Sequence, residues 1–88
     1  MTQKVKEYAA LLVKNDTGKD LLQQTTGILE AVPEVRVEFE NPAVSLEKKH
    51  IVIERVFPAE IRNFLKILVD NQDFSLFDEI IDRIWVYS

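Results

Sequence analysis

The sequence predicts an all-α fold, a compact bundle of about six short helices in a single domain. Three observations carry this expectation. Apolar residues recur at i, i+3, i+4 and i+7 in successive stretches, separated by short polar or proline-containing breaks. A chain of 88 residues supports one domain, spanning 1–88, and not two. The composition, 47% hydrophobic and 30% charged with two glycines and three prolines, is that of a folded globule and not of a disordered segment.

The first helix is read from Val5, Tyr8, Ala9 and Leu12, which fall on one helical stripe. Asn15-Asp16-Thr17-Gly18 interrupts it, and Thr17 with Asp20 three residues later suits an N-cap followed by a carboxylate near exposed amides. Leu21, Leu22, Thr25, Ile28, Leu29 and Val32 continue at helical spacing up to Pro33, which tolerates only a first-turn position. The stretch Val35-Arg36-Val37-Glu38-Phe39-Glu40 alternates like a half-buried strand. Nothing else in the chain offers it a pairing partner, and Val32, Val35 and Phe39 also fit a helical face, so a short helix is expected.

Asn41-Pro42 breaks the chain, because the residue before proline is pushed out of the helical region. Ser45 is expected to cap a fourth helix with Leu46, Ile53 and Phe57 inward and Lys48, Lys49, Glu54 and Arg55 mostly outward. Pro58 ends it and suits the first position of a fifth helix, whose stripe is Ile61, Phe64, Leu65 and Leu68. Asp70-Asn71 ends that helix, and Ser75 with Asp78 resembles a capping box for a last helix carrying Phe77, Ile80, Ile81, Ile84 and Trp85.

Several function classes are excluded early. There is no cysteine, hence no disulfide framework, thiolate metal site or cysteine nucleophile. The net charge of −4 is spread evenly along the chain, and without a basic block phosphate neutralisation has no source, so no nucleic-acid partner is expected. The longest apolar run, Tyr8 to Val13, is six residues where a span needs about twenty, so no direct membrane insertion is expected. With no hydrophobic signal region at its start, the chain reads as a soluble domain of a reducing compartment.

Candidate chemistry is sparse. His50, the only histidine, has Glu47 and Glu54 at i−3 and i+4, a set from which a divalent metal could take two carboxylates and an imidazole. Lys48, Lys49 and Arg55 crowd the same helix, and a solvated face is the stronger reading. The acids Asp70, Asp73, Asp78, Glu79 and Asp82 lack the spacing and turn glycine of a calcium loop and suit the start of a helix instead. No phosphate-binding glycine loop or nucleophile elbow is present, and no cofactor or catalytic residue is expected.

One feature exceeds the needs of a core. Leu11 lies about 60–100° around the helix from most of the Val5-Tyr8-Ala9-Leu12 stripe, and Ile67 is placed likewise beside Ile61-Phe64-Leu65-Leu68. Such widened faces fit deep burial in a small bundle, the reading that periodicity favours, or a groove for a further helix.

From Pro33 onward the residues resemble the amino-terminal domain of the delta subunit of F-type ATP synthase, the oligomycin-sensitivity-conferring protein of mitochondria. The resemblance rests on Val32-Pro33-Glu34 and on Glu40-Asn41-Pro42-Ala43-Val44-Ser45-Leu46-Glu47-Lys48-Lys49. It extends through Glu60-Ile61-Arg62-Asn63-Phe64-Leu65-Lys66-Ile67-Leu68-Val69-Asp70-Asn71 and Leu76-Phe77-Asp78-Glu79-Ile80-Ile81-Asp82. It implies a six-helix bundle with a short third helix at Pro33 to Phe39. It also implies a non-catalytic stator component that takes the amino-terminal helix of an alpha subunit into a groove between the first and fifth helices. That component supports proton-driven ATP synthesis from the cytoplasmic, inner face of the cell membrane, peripheral to it.

On this resemblance Tyr8, Leu11, Phe64 and Ile67 border the groove. Two departures stand out: Tyr8 to Pro42 is about three helical turns shorter than in the family, and Gln72-Asp73 replaces the usual Gly/Gln-Arg. The chain stops at Ser88, near the end of the family's first domain. The carboxy-terminal domain that contacts the peripheral stalk in the family is missing, so stalk contact is not expected of it. The alternatives are a free-standing module that binds another amphipathic helix and, from a different class, a small metal-binding enzyme using Glu47, His50 and Glu54.

Overall fold

Local chemistry sets where each helix starts and stops. A computed structural model describes residues 3–87, the last three by backbone alone. Its helices are Gln3–Lys14 (α1), Lys19–Ala31 (α2), Pro33–Glu40 (α3), Leu46–Val56 (α4), Ala59–Asp70 (α5) and Phe77–Tyr87 (α6), with a 3-10 turn at Phe74–Leu76. Among the described residues there is no strand, so the alternating stretch from Val35 is helical, started by Pro33 in its first turn.

Two helices stop in the same way. At the end of α1, Asp16 takes φ 58° and the Asp16 and Thr17 amides donate to the Val13 and Leu12 carbonyls. At the end of α5, Gln72 takes φ 57° and the Gln72 and Asp73 amides donate to Val69 and Leu68. Both are Schellman closures in which the left-handed residue is not glycine.

The first closure corrects one expectation. Its hydrogen bonds engage the Thr17 amide, so Gly18, not Thr17, is the N-cap of α2, with no side-chain cap. The second leads straight into the 3-10 turn, which holds Ser75 at its centre and leaves no capping box with Asp78. Pro58 is likewise one step out, as the N-cap of α5 with ψ 147°. Ser45 caps α4 as expected, its hydroxyl accepting from the Lys48 amide at 3.2 Å.

In the core α1 packs on α6 and α4 on α5. Val5, Leu12, Leu22, Ile53, Ile61, Leu65, Leu68 and Ile80 are almost wholly enclosed, and each such aliphatic side chain contributes about 1.5–3 kcal/mol. An aromatic group closes the end near the 3-10 turn: Phe74 meets Phe39 edge-on at 5.0 Å and stacks on Phe77 at 5.6 Å. Thr25 is buried with its hydroxyl donating to the Leu21 carbonyl at 2.8 Å. Trp85, expected on the α6 stripe, lies outside the described side chains.

The inward face of α4 differs from expectation. Leu46, the first residue of the helix, is 44% exposed, beyond the edge of the core. Lys49 is 4% exposed, because positions 49, 53 and 57 stand one above another on the face that buries Ile53 and Phe57. Val32, the single residue that links α2 to α3, is exposed instead of inward.

Candidate functional site

Helices α1 and α5 run antiparallel along the two banks of a cleft, since Tyr8 of α1 meets Asn71 just past the end of α5 while Leu12 and Asn15 share the cleft with Glu60 and Asn63. Their side chains leave a furrow. Its larger part, about 610 Å³, has apolar walls of Leu11, Leu12, Leu21, Phe64 and Ile67 and a polar rim of Asn15, Asp16, Glu60 and Asn63. Its smaller part, about 460 Å³, is bounded by Lys4, Glu7, Tyr8, Leu11, Asn71 and Asp73. Leu11 borders both, so the two parts adjoin.

The four residues expected at a groove fall here with different roles. Ile67 is 38% exposed and stands on the α5 wall, whereas Leu11 on α1 is half-buried against the core. Phe64 is only 5% exposed and forms floor more than wall. The Tyr8 ring meets Phe64 edge-on at 6.1 Å and so continues that floor into the smaller part.

Polar chemistry concentrates at the Tyr8 end. The Tyr8 hydroxyl donates to Asp73 Oδ2 at 2.7 Å, and Lys4 Nζ donates to Asp73 Oδ1 at 3.3 Å. Asn71 Nδ2 donates to the Tyr8 oxygen at 3.4 Å. Burial, reinforced by the bond to Asp73, pushes the Tyr8 phenol up to about 12. Asp73, almost buried, is thus satisfied by two donors from α1, and the turn after α5 is tied to the first helix.

Asp73 and Lys4 were not legible as site residues, since they meet across 69 positions and no local pattern links them. Leu21, Glu60 and Asn63 were missed for the same reason.

The alternative constellation does not assemble. His50 Nε2 lies 2.6 Å from Asp70 Oδ1 on α5, and Glu54 accepts from Lys66 at 2.9 Å. The Lys66 hydrogen bond and charge hold the Glu54 carboxyl below the usual carboxylate range. His50 and Glu54 therefore each face a partner on α5, and among the described residues no group of three His, Asp or Glu is placed to hold a metal ion. The reading of Glu47, His50 and Glu54 as a metal site is corrected accordingly. Lys48 pairs with Glu38 at 3.7 Å, and Lys49 is buried, so the three-residue basic run is not a uniform solvated face.

An apolar furrow with a polar rim suits the apolar face of a helix and offers no set of groups for bond making or breaking. No helix among the described residues is long and apolar enough to cross a membrane. Comparison with known families gives a match to the ATP synthase delta (OSCP) subunit over residues 5–87. Neither the curated proteins nor the solved structures give a match. The match covers nearly the whole length, and the chain belongs to the ATP synthase delta (OSCP) family, whose members are non-catalytic stator subunits of F-type ATP synthase, peripheral to the membrane.

Proposed function

With that membership as premise, we propose that the chain receives the amino-terminal helix of an alpha subunit in the furrow between α1 and α5 and so holds the catalytic head against rotor torque. The observation that carries the reading is the pair Leu11 and Ile67, apolar side chains from two helices bordering one cleft of about 610 Å³. An amphipathic helix presents anchors at i, i+3, i+4 and i+7, and such a stripe matches an apolar channel with a polar rim. The output of the domain is affinity, not chemistry. Through the assembled enzyme it sits at the cytoplasmic, inner face of the cell membrane and supports proton-driven ATP synthesis.

Isothermal titration with a synthetic peptide from the alpha subunit's amino terminus tests this. Folded wild type is expected to bind, and Leu11→Asp and Ile67→Asp to abolish binding, because a carboxylate in the closed cleft is desolvated without a partner. Equal affinity in all three proteins rejects the furrow as the site. Absence of binding by the wild type rejects the alpha-helix reading itself.

A further inference from the structure

The furrow carries a charge that its apolar walls do not require. Its larger part is edged by Asp16 and Glu60, and its smaller part by Glu7, Asp73 and Lys4. Four carboxylates thus face one ammonium, a net −3 against −4 for the whole chain. That ammonium is already engaged, since Lys4 pairs with Asp73. Glu7, Asp16 and Glu60 are exposed, and among the described residues their carboxylates form no ion pair or hydrogen bond.

Nothing nearby cancels them. Lys6, Lys14, Lys19 and Arg62, the bases closest to them in sequence, line neither part, and Arg62 is turned to the Phe57 carbonyl. The start of α2 at Gly18 opens on the larger part without a side-chain cap, and its amides favour an anion. Asp20 in that first turn offsets them.

We propose that the furrow selects a cationic helix: an amphipathic segment whose apolar stripe is flanked by Lys or Arg, with a base meeting Asp16 and Glu60 beside the start of α5. The inference rests on the furrow being a helix-docking site and adds which helix it admits. The apolar walls hold any stripe of the right spacing, so they discriminate little between partners. The rim discriminates by sign, because bases on the flanks are attracted to it and acids repelled. The rim carboxylates stay hydrated in the free domain, so the selectivity costs the fold little.

The test is isothermal titration of the whole chain with three peptides. One is the alpha subunit's amino terminus; the other two share one designed apolar stripe and carry Lys or Glu at every flanking position. An exposed ion pair is worth about two- to fivefold in affinity. Exchanging attraction for repulsion at two acids should therefore separate the designed peptides by about tenfold or more. The gap should narrow between about 50 mM and about 500 mM sodium chloride, as screening shortens the reach of the rim. Asp16→Asn with Glu60→Gln should remove most of it and keep the fold, since Asn accepts the left-handed φ of 58° at position 16. Glu34→Gln with Glu40→Gln, on α3 and away from the furrow, changes the net charge equally and should leave the gap in place.

Equal affinity of the two designed peptides for wild type overturns the proposal. So does a gap that the α3 pair of substitutions narrows as much as the rim pair, because net charge alone then sets it. If the alpha peptide binds and the designed peptides do not differ, selection by charge falls and the docking reading stands. If the Lys peptide keeps its advantage while the alpha peptide does not bind, the alpha-subunit reading falls and the furrow remains a site for a cationic helix. Failure of all three peptides to bind rejects both.

Discussion

The Tyr8 hydroxyl donates to Asp73 Oδ2 at 2.7 Å across 65 residues of chain, and with the Lys4 ion pair to the same carboxylate it joins the first helix to the turn that follows the fifth. It fixes the floor of the furrow at one end, since the same ring sits edge-on against Phe64. Its proton belongs to the phenol, because burial and the carboxylate both disfavour phenolate.

A pH dependence follows. The folded phenol titrates at about 12 against an ordinary 10.0. With the folded value raised, the stabilisation from Tyr8 is fully present below pH 10 and is lost as pH rises toward 12. Urea denaturation of wild type and Tyr8→Phe at a series of alkaline pH values checks this. The stability gap between the two proteins is expected to be constant up to pH 10 and to shrink above it. A gap that widens with pH would mean that Asp73 does not hold the proton on Tyr8.

The core prediction concerns Leu65, wholly buried on α5. Leu65→Ala is expected to cost about 2–5 kcal/mol, the range for a buried leucine replaced by a cavity. That is a large share of the stability of so small a domain. Thermal or urea denaturation measures it, and a loss under about 0.5 kcal/mol would be the signature of a surface position.

Backbone strain gives a prediction of opposite sign. Gln72 holds φ 57° at the Schellman closure of α5, a conformation that costs a residue with a Cβ about 1–2 kcal/mol. Gln72→Gly should therefore stabilise the domain, by less than that cost because glycine also loosens the unfolded chain. The reverse substitution applies at Gly27, inside α2, where an added Cβ meets nothing within 4 Å. Gly27→Ala should stabilise by about 0.5–1 kcal/mol. Both shifts are read as an increase in melting temperature.

Helical periodicity carried most of the fold because it reports on neighbours three and four positions apart, the contacts that a helix itself creates. Val5, Ala9 and Leu12 of the α1 stripe and the whole α5 stripe are buried as read, Tyr8 only in part, and α3 proved helical despite strict alternation. What failed depends on where an element stops. The Schellman bond to the Thr17 amide moved a cap by one residue, and the 3-10 turn that buries Phe74 took Ser75 out of its expected role. Lys49 failed for another reason: its charge argued for solvent, but its position in register with Ile53 and Phe57 prevailed. Of the furrow, Leu11 and Ile67 were visible as apolar residues off their stripes, whereas Asp73, which anchors its Tyr8 end, gave no local sign.

The last prediction separates binding from folding at the furrow. An anchor that is exposed in the free domain contributes little to the fold and much to the complex, whereas a half-buried one contributes to both. Ile67 is 38% exposed, and Leu11 packs partly against the core. Ile67→Ala is thus expected to change stability by less than about 1 kcal/mol. If an alpha-subunit helix buries that side chain, the same change removes about 1.5–3 kcal/mol of apolar contact, a loss of roughly ten- to a hundredfold in affinity. Leu11→Ala should lower both quantities, and Phe64→Ala should act on stability first, by about 3–5 kcal/mol, since its ring is already enclosed. Thermal denaturation and peptide titration on the same three proteins give the two axes. Ile67→Ala should fall far to the affinity side. If instead it loses stability while binding the peptide as wild type does, Ile67 is a core residue and the furrow has no α5 wall for a partner to grip.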